Sequence, residues 1–125
     1  NPGITEGFAN IFNMYYLEKY NRPEKDRKTC ESNIEVHERN RSFTDFKEYN
    51  WLGFCFLMEF KNRYGWSFFK SFFGWYNSLS SEQVYTLFSQ YKTEREKYYW
   101  LKTMFDHFAK EDTSDLFSKY HIPVD

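Results

Sequence analysis

Five glycines, three prolines and two cysteines are few for a chain of 125 residues, and each shortage excludes something. With so little glycine and proline, and no Asn-Gly or Asp-Gly dipeptide, the turns that a sheet of hairpins needs are missing. Two cysteines, Cys30 and Cys55, are too few and too far apart for a cysteine-based zinc motif. They can pair in an oxidising compartment, or stand as one surface thiol and one core thiol; their number does not choose. No charge sign is in excess: 17 Lys and Arg face 18 Asp and Glu, for a formal net charge of −1. That balance removes the electrostatic reason to expect a nucleic acid or an anionic membrane as partner. Long hydrophobic runs are also absent. The longest, from Trp51 to Met58, is interrupted by Gly53 and falls well short of the ~20 residues of a membrane span. The chain opens on Asn1-Pro2-Gly3 with neither an initiator methionine nor a signal-peptide pattern, so it reads as part of a longer protein or as a processed product.

Complete catalytic motifs are missing as well. His37-Glu38 is followed by Arg39-Asn40-Arg41 and His107 by Phe108-Ala109-Lys110-Glu111, so neither completes the zinc-protease pattern H-E-x-x-H. There is no G-x-S-x-G and no phosphate-binding glycine loop. His107 reads as a helix-surface histidine, and His37 and His121 have no partner in sequence. Lys92 to Lys102 mixes cations with aromatics, as a nucleic-acid surface does. Glu94 and Glu96 interleave with Arg95 and Lys97, however, which fits ion pairs on a solvated helix face.

What the chain has in quantity is aromatic rings: 15 Phe, 11 Tyr and 4 Trp, or 24% of its residues. Their spacing is helical. Thr5 caps a first helix that runs to about residue 20, where Asn21-Arg22-Pro23 stops it. Residues 22–42 form a charged surface excursion with Ile34 and Val36 as its only aliphatics, and with room for a short helix. Thr44 is placed to cap a long helix through Trp51, Leu52 and Phe54 to Phe60. That helix is apolar nearly all round and therefore buried on more than one side. A buried strand competes over 54–60, but the length of the pattern favours helix. Gly65 stops it. Trp66, Phe69, Phe72, Phe73 and Tyr76 give the next helix one broad apolar face. Ser80 with Gln83, and Thr93 with Glu96, are capping boxes opening two more. A last short helix over 114–120 leads into an extended tail. The expectation is an all-α, compact bundle of about six helices forming a single domain over 1–125.

The first helix has a second face. Glu6, Ala9, Asn10 and Asn13 fall at i, i+3, i+4 and i+7, placing a carboxylate one turn from two amides. Neighbours of that kind can hold a carboxylate in one rotamer, as a metal ligand requires. An acidic residue in a first turn also follows simply from the helix dipole.

Three stretches together resemble one family. Pro2-Gly3-Ile4-Thr5-Glu6 with Asn10-Ile11-Phe12 and Tyr15-Tyr16 is similar to the region after the zinc-binding helix of enhancin-like metallopeptidases, the mucin-degrading and viral-enhancin group. Leu57-Met58-Glu59-Phe60 to Tyr64-Gly65-Trp66, followed by Phe69, Phe73 and Tyr76, resembles their downstream helix-glycine-tryptophan-helix segment. Asp115 to Val124 resembles the family's closing stretch. The order and rough spacing agree, so the likeness covers nearly the whole chain. It implies the C-terminal helical subdomain of a zincin-type zinc endopeptidase acting on mucin-type or other glycoproteins, extracellular or at a cell surface. Glu6 matches the downstream zinc ligand. Asn10 matches a neighbouring position and would orient the carboxylate or the zinc helix, with Asn13 of the same face as a further supporting side chain. The H-E-x-x-H segment, with two ligands and the general base, is not in these residues. The chain alone should therefore be inactive, with zinc held only together with the upstream half of the peptidase. The alternative is a catalytically inactive helical module that binds a protein or glycan through exposed aromatics.

Overall fold

The computed structural model describes residues 33–124 together with Ile11, Tyr15, Lys19 and Cys30. Among these residues the chain is all-α, with seven helices and no strand. The helices are α1 (Ile34–Glu38), α2 (Phe43–Glu48), α3 (Asn50–Tyr64), α4 (Trp66–Ser78), α5 (Ser81–Gln90), α6 (Glu94–Ala109) and α7 (Ser114–Lys119). Ile11, Tyr15, Lys19 and Cys30 are helical too.

The bundle is built on α3, which is buried nearly all round from Leu52 to Met58. Leu52, Phe54, Cys55, Phe56, Leu57, Met58 and Phe60 are all buried. Helices α2, α4 and α7 pack against it, and α6 packs against α4. The core between them is made of rings. Phe105 of α6 is fully buried, with centroids of Phe60, Phe68 and Phe72 at 4.7, 5.0 and 5.2 Å. Most of these pairs meet edge to face, the arrangement that ring quadrupoles favour. One turn earlier on the same face of α3, Phe56 meets Phe117 of α7 at 5.0 Å and Phe46 of α2 at 5.7 Å.

The long helix expected from Thr44 is two helices. Its cap is Ser42, whose hydroxyl accepts from the Asp45 N–H at 3.1 Å. Tyr49, extended at φ −98°, ψ 103°, then separates α2 from α3. The break leaves few backbone groups unpaired. Tyr49 N–H still donates to Asp45 at 2.8 Å, and its carbonyl accepts from Leu52 at 3.0 Å. The Arg39 guanidinium lies 3.9 Å over its ring, which helps hold the corner.

The other boundaries follow local chemistry. Gly65 separates α3 from α4 at φ 80°, ψ 176°, a conformation essentially closed to residues with a Cβ. Ser80 and Gln83 form a complete capping box. At Thr93 the hydroxyl accepts from Glu96 N–H at 3.1 Å, but the Glu96 carboxylate takes that same hydroxyl at 3.0 Å instead of closing the box. The described part of the charged excursion contains α1, capped by Asn33. Val36 is buried and Cys30 is disulfide-bonded to Cys55 of α3. The tail beyond α7 is irregular, with Ile122 buried and its N–H donating to Phe117.

Candidate functional site

The residues singled out as zinc-binding in the sequence, Glu6, Asn10 and Asn13, lie outside the described residues. Of their helix, Ile11 and Tyr15 are described on the expected apolar stripe. Ile11 is buried, and Tyr15 meets Trp66 edge-on at 5.3 Å. Among the described residues no three His, Cys, Asp or Glu side chains converge as a metal site would require.

A cleft of about 590 Å³ lies between α1, α3 and α7. Three segments distant in sequence form it. One of them, the strap made by Cys30 and residues 33–40, is fastened near both ends. At one end is the Cys30–Cys55 disulfide. At the other, Asn40 Nδ2 donates to the Lys119 carbonyl at 3.0 Å, and the His121 ring nitrogen Nε2 donates to the Asn40 carbonyl at 3.1 Å. The disulfide, Val36, Met58 and Leu116 give the cleft apolar walls, and His37, Asn62 and Arg63 add polar ones.

Its electrostatics are those of paired charges. Glu59 Oε1 accepts from Lys119 Nζ at 2.7 Å. Arg63 grips Asp115 through two hydrogen bonds of 3.1 and 2.7 Å. That grip raises the guanidinium above its ordinary value and holds the Asp115 carboxyl below its own. Burial, and next the neighbouring Glu59 carboxylate, push the Tyr120 phenol well above the usual tyrosine range. Two acceptor oxygens in the lining residues, Asn40 Oδ1 and Glu59 Oε2, are buried without a hydrogen bond of regular geometry. Among the described residues the lining contains no serine, threonine or free thiol; its one hydroxyl is the Tyr120 phenol.

Sequence reasoning did not find this cleft. Glu59 stood out only as part of the helix-glycine-tryptophan stretch, and Asn40 and Lys119 carry no local signal. The one available hint was Cys30, since pairing with Cys55 brings the excursion over α3. The histidines are placed as follows. His107 is exposed on α6 with its ring edge-on to Phe108 at 5.0 Å, His37 lines the cleft, and His121 finds Asn40. Lys92 to Lys97 are exposed, as a solvated face requires, but Lys102 is half-buried between Asp106 and Asp112.

A third feature is α5, which has no buried residue. Tyr85 and Phe88 on it are 75% and 46% exposed, and Tyr99 of α6 is 51% exposed. No described helix is long and apolar enough to cross a membrane. Comparison with models of protein families, with curated proteins and with solved structures finds no match to this chain.

Proposed function

We propose that the chain is the C-terminal helical part of an enhancin-like zinc endopeptidase acting on mucin-type or other glycoproteins, to which it contributes Glu6 as a zinc ligand and one wall of the substrate cleft. The observation that carries this reading is that the three family-like stretches meet on one core. Tyr15, from the first, packs on Trp66 of the second at 5.3 Å. Phe117 of the third packs on Phe60 of the second at 6.0 Å. A scaffold of this kind can fix the first helix relative to a metal, which a ligand carboxylate needs. The Cys30–Cys55 disulfide fits the oxidising compartment that an extracellular peptidase works in. In this reading the H-E-x-x-H helix comes from outside residues 1–125, and it supplies two ligands and the general base around an open zinc position.

The test is zinc content and glycoprotein cleavage in a protein extended upstream of Asn1, compared with its Glu6→Ala variant. Near-stoichiometric zinc that drops at least tenfold in affinity in the variant, with loss of cleavage, is expected. Absence of zinc from the unmodified protein would sink the reading.

The exposed rings of α5 favour a second reading, a helical module that binds a protein or glycan without chemistry of its own. In that case immobilised mucin is retained by the Glu6→Ala variant and lost by Tyr85→Ser/Phe88→Ser. Retention by both variants would remove it.

A further inference from the structure

Helix α5 leans on the bundle by one face and leaves the other to solvent. Val84, Leu87 and, just past its end, Tyr91 are half-buried, and none of its residues is fully buried. Glu82, Tyr85 and Ser89 fall at i, i+3 and i+7, with Phe88 one turn on from Tyr85, so the four share the outward face. Tyr85 and Phe88 are 75% and 46% exposed. The face is also patterned. A second α5 laid antiparallel across the first, with the two-fold at the level of Leu87, brings residues equidistant from Leu87 opposite one another. Glu82 of one copy then faces Lys92 of the other, Tyr85 faces Ser89, and Thr86 faces Phe88. Each ring meets a small hydroxyl residue. The Ser89 hydroxyl donates back to the Tyr85 carbonyl at 2.8 Å, so an incoming ring does not strand it. Each end brings a carboxylate of the first turn to an exposed ammonium, and the antiparallel order opposes the two helix dipoles. A parallel pair would set Glu82 on Glu82 and Lys92 on Lys92.

We propose that the outward face of α5 binds a second copy of this chain, as an antiparallel two-fold helix pair centred at the level of Leu87. One pattern then supplies both halves of the interface, as two-fold association requires. The size of the face sets the affinity. A ten-residue helix is about 15 Å long, and a pair of that length buries much less than the ~800 Å² per partner of a standard stable interface. The association is therefore reversible, with a dissociation constant of roughly 0.1–1 mM. The proposal rests on neither reading above, and its test involves neither zinc nor mucin.

The test is sedimentation equilibrium of the full chain at low salt, from about 10 µM to about 2 mM, which brackets that constant. A monomer–dimer equilibrium is expected, and Tyr85→Ser/Phe88→Ser should leave only monomer. Glu82→Lys alone sets ammonium against ammonium at both ends of the pair, and Lys92→Glu alone sets carboxylate against carboxylate. Each should weaken dimerisation about fivefold. Mixed in equal amounts, one variant brings only cations to these positions and the other only anions. The mixture should therefore recover the association of the unmodified chain, and about 0.5 M salt should cancel the recovery. Recovery on mixing also separates a charge effect from a loss of folding, because two misfolded variants would not regain association together. No dimer at the highest concentration, a dimer that survives loss of both rings, or a mixture that associates no better than its two components would overturn the proposal.

Discussion

Phe105 carries more of the core than its position in sequence suggests. It is the ring at which α3, α4, α6 and α7 meet, within 6.4 Å of Phe60, Phe68, Phe69, Phe72 and Phe117. Phe105→Ala removes the central piece of a stack that collapses only partly around the gap, so a loss of about 3–5 kcal/mol is expected in urea unfolding. Tyr85→Ala, at a residue 75% exposed, should stay within about 0.5 kcal/mol. A second residue-scale effect is electrostatic. Asp112 Oδ1 accepts from the Ser114 hydroxyl and N–H and from Lys102 Nζ. The Ser114 hydroxyl, then Lys102, hold the Asp112 carboxyl down at about 2, against an ordinary value of 3.8. Its folded value is the lower one, so the stability it contributes is fully present above about 4 and is lost as pH falls through about 2. Melting temperature should therefore fall between those values, and Asp112→Asn should flatten the slope there. An unchanged slope in the variant would assign the acid sensitivity elsewhere.

At the scale of elements, the joints differ in how visible they are in sequence. Ser80 and Gln83 announce α5 because a capping box is local chemistry, complete within four residues. The break at Tyr49 has no such signal. No proline or glycine marks it, and the Arg39 guanidinium that stacks on its ring comes from the preceding strap. The α3–α4 corner was legible as a stop but not in its geometry. Gly65 at φ 80°, ψ 176° lies outside the left-handed helical region that asparagine tolerates. Nothing within 4 Å would meet an added Cβ, so the penalty is one of backbone alone. Gly65→Ala and Gly65→Asn should therefore both cost about 1–3 kcal/mol, without the usual advantage of asparagine. A milder effect of asparagine than of alanine in thermal unfolding would show that the corner relaxes into the left-handed region. The cleft was illegible for a further reason: its polar groups come from three segments, so Asn40, Glu59 and Lys119 gain meaning only once α1, α3 and α7 are adjacent. The Glu6 face is legible in sequence and falls on residues the structure does not describe.

Across the whole molecule, the strap over the cleft is fastened by unequal means. The Cys30–Cys55 bond closes a loop of 25 residues. Loop-closure entropy alone assigns such a bond about 3.5 kcal/mol, through the unfolded chain. The far fastening consists of hydrogen bonds at Asn40, each contributing about 1 kcal/mol net. Val36 is the only residue of α1 that is buried. Helix α1 is five residues long, too short to persist without tertiary support. Cys30→Ala leaves the buried Cys55 side chain in place, so it removes the covalent link without opening a cavity in α3. It should lower unfolding free energy by about 2–4 kcal/mol. It should also speed hydrogen exchange at Arg39 and Asn40, whose N–H groups bond within α1, more than at the α3 amides, because the aromatic core does not depend on the strap. Reduction of the unmodified protein by a thiol should reproduce both effects. If reduction instead accelerates exchange equally in α1 and α3, the disulfide stabilises the bundle as one cooperative unit, and the strap is not a separately fastened element.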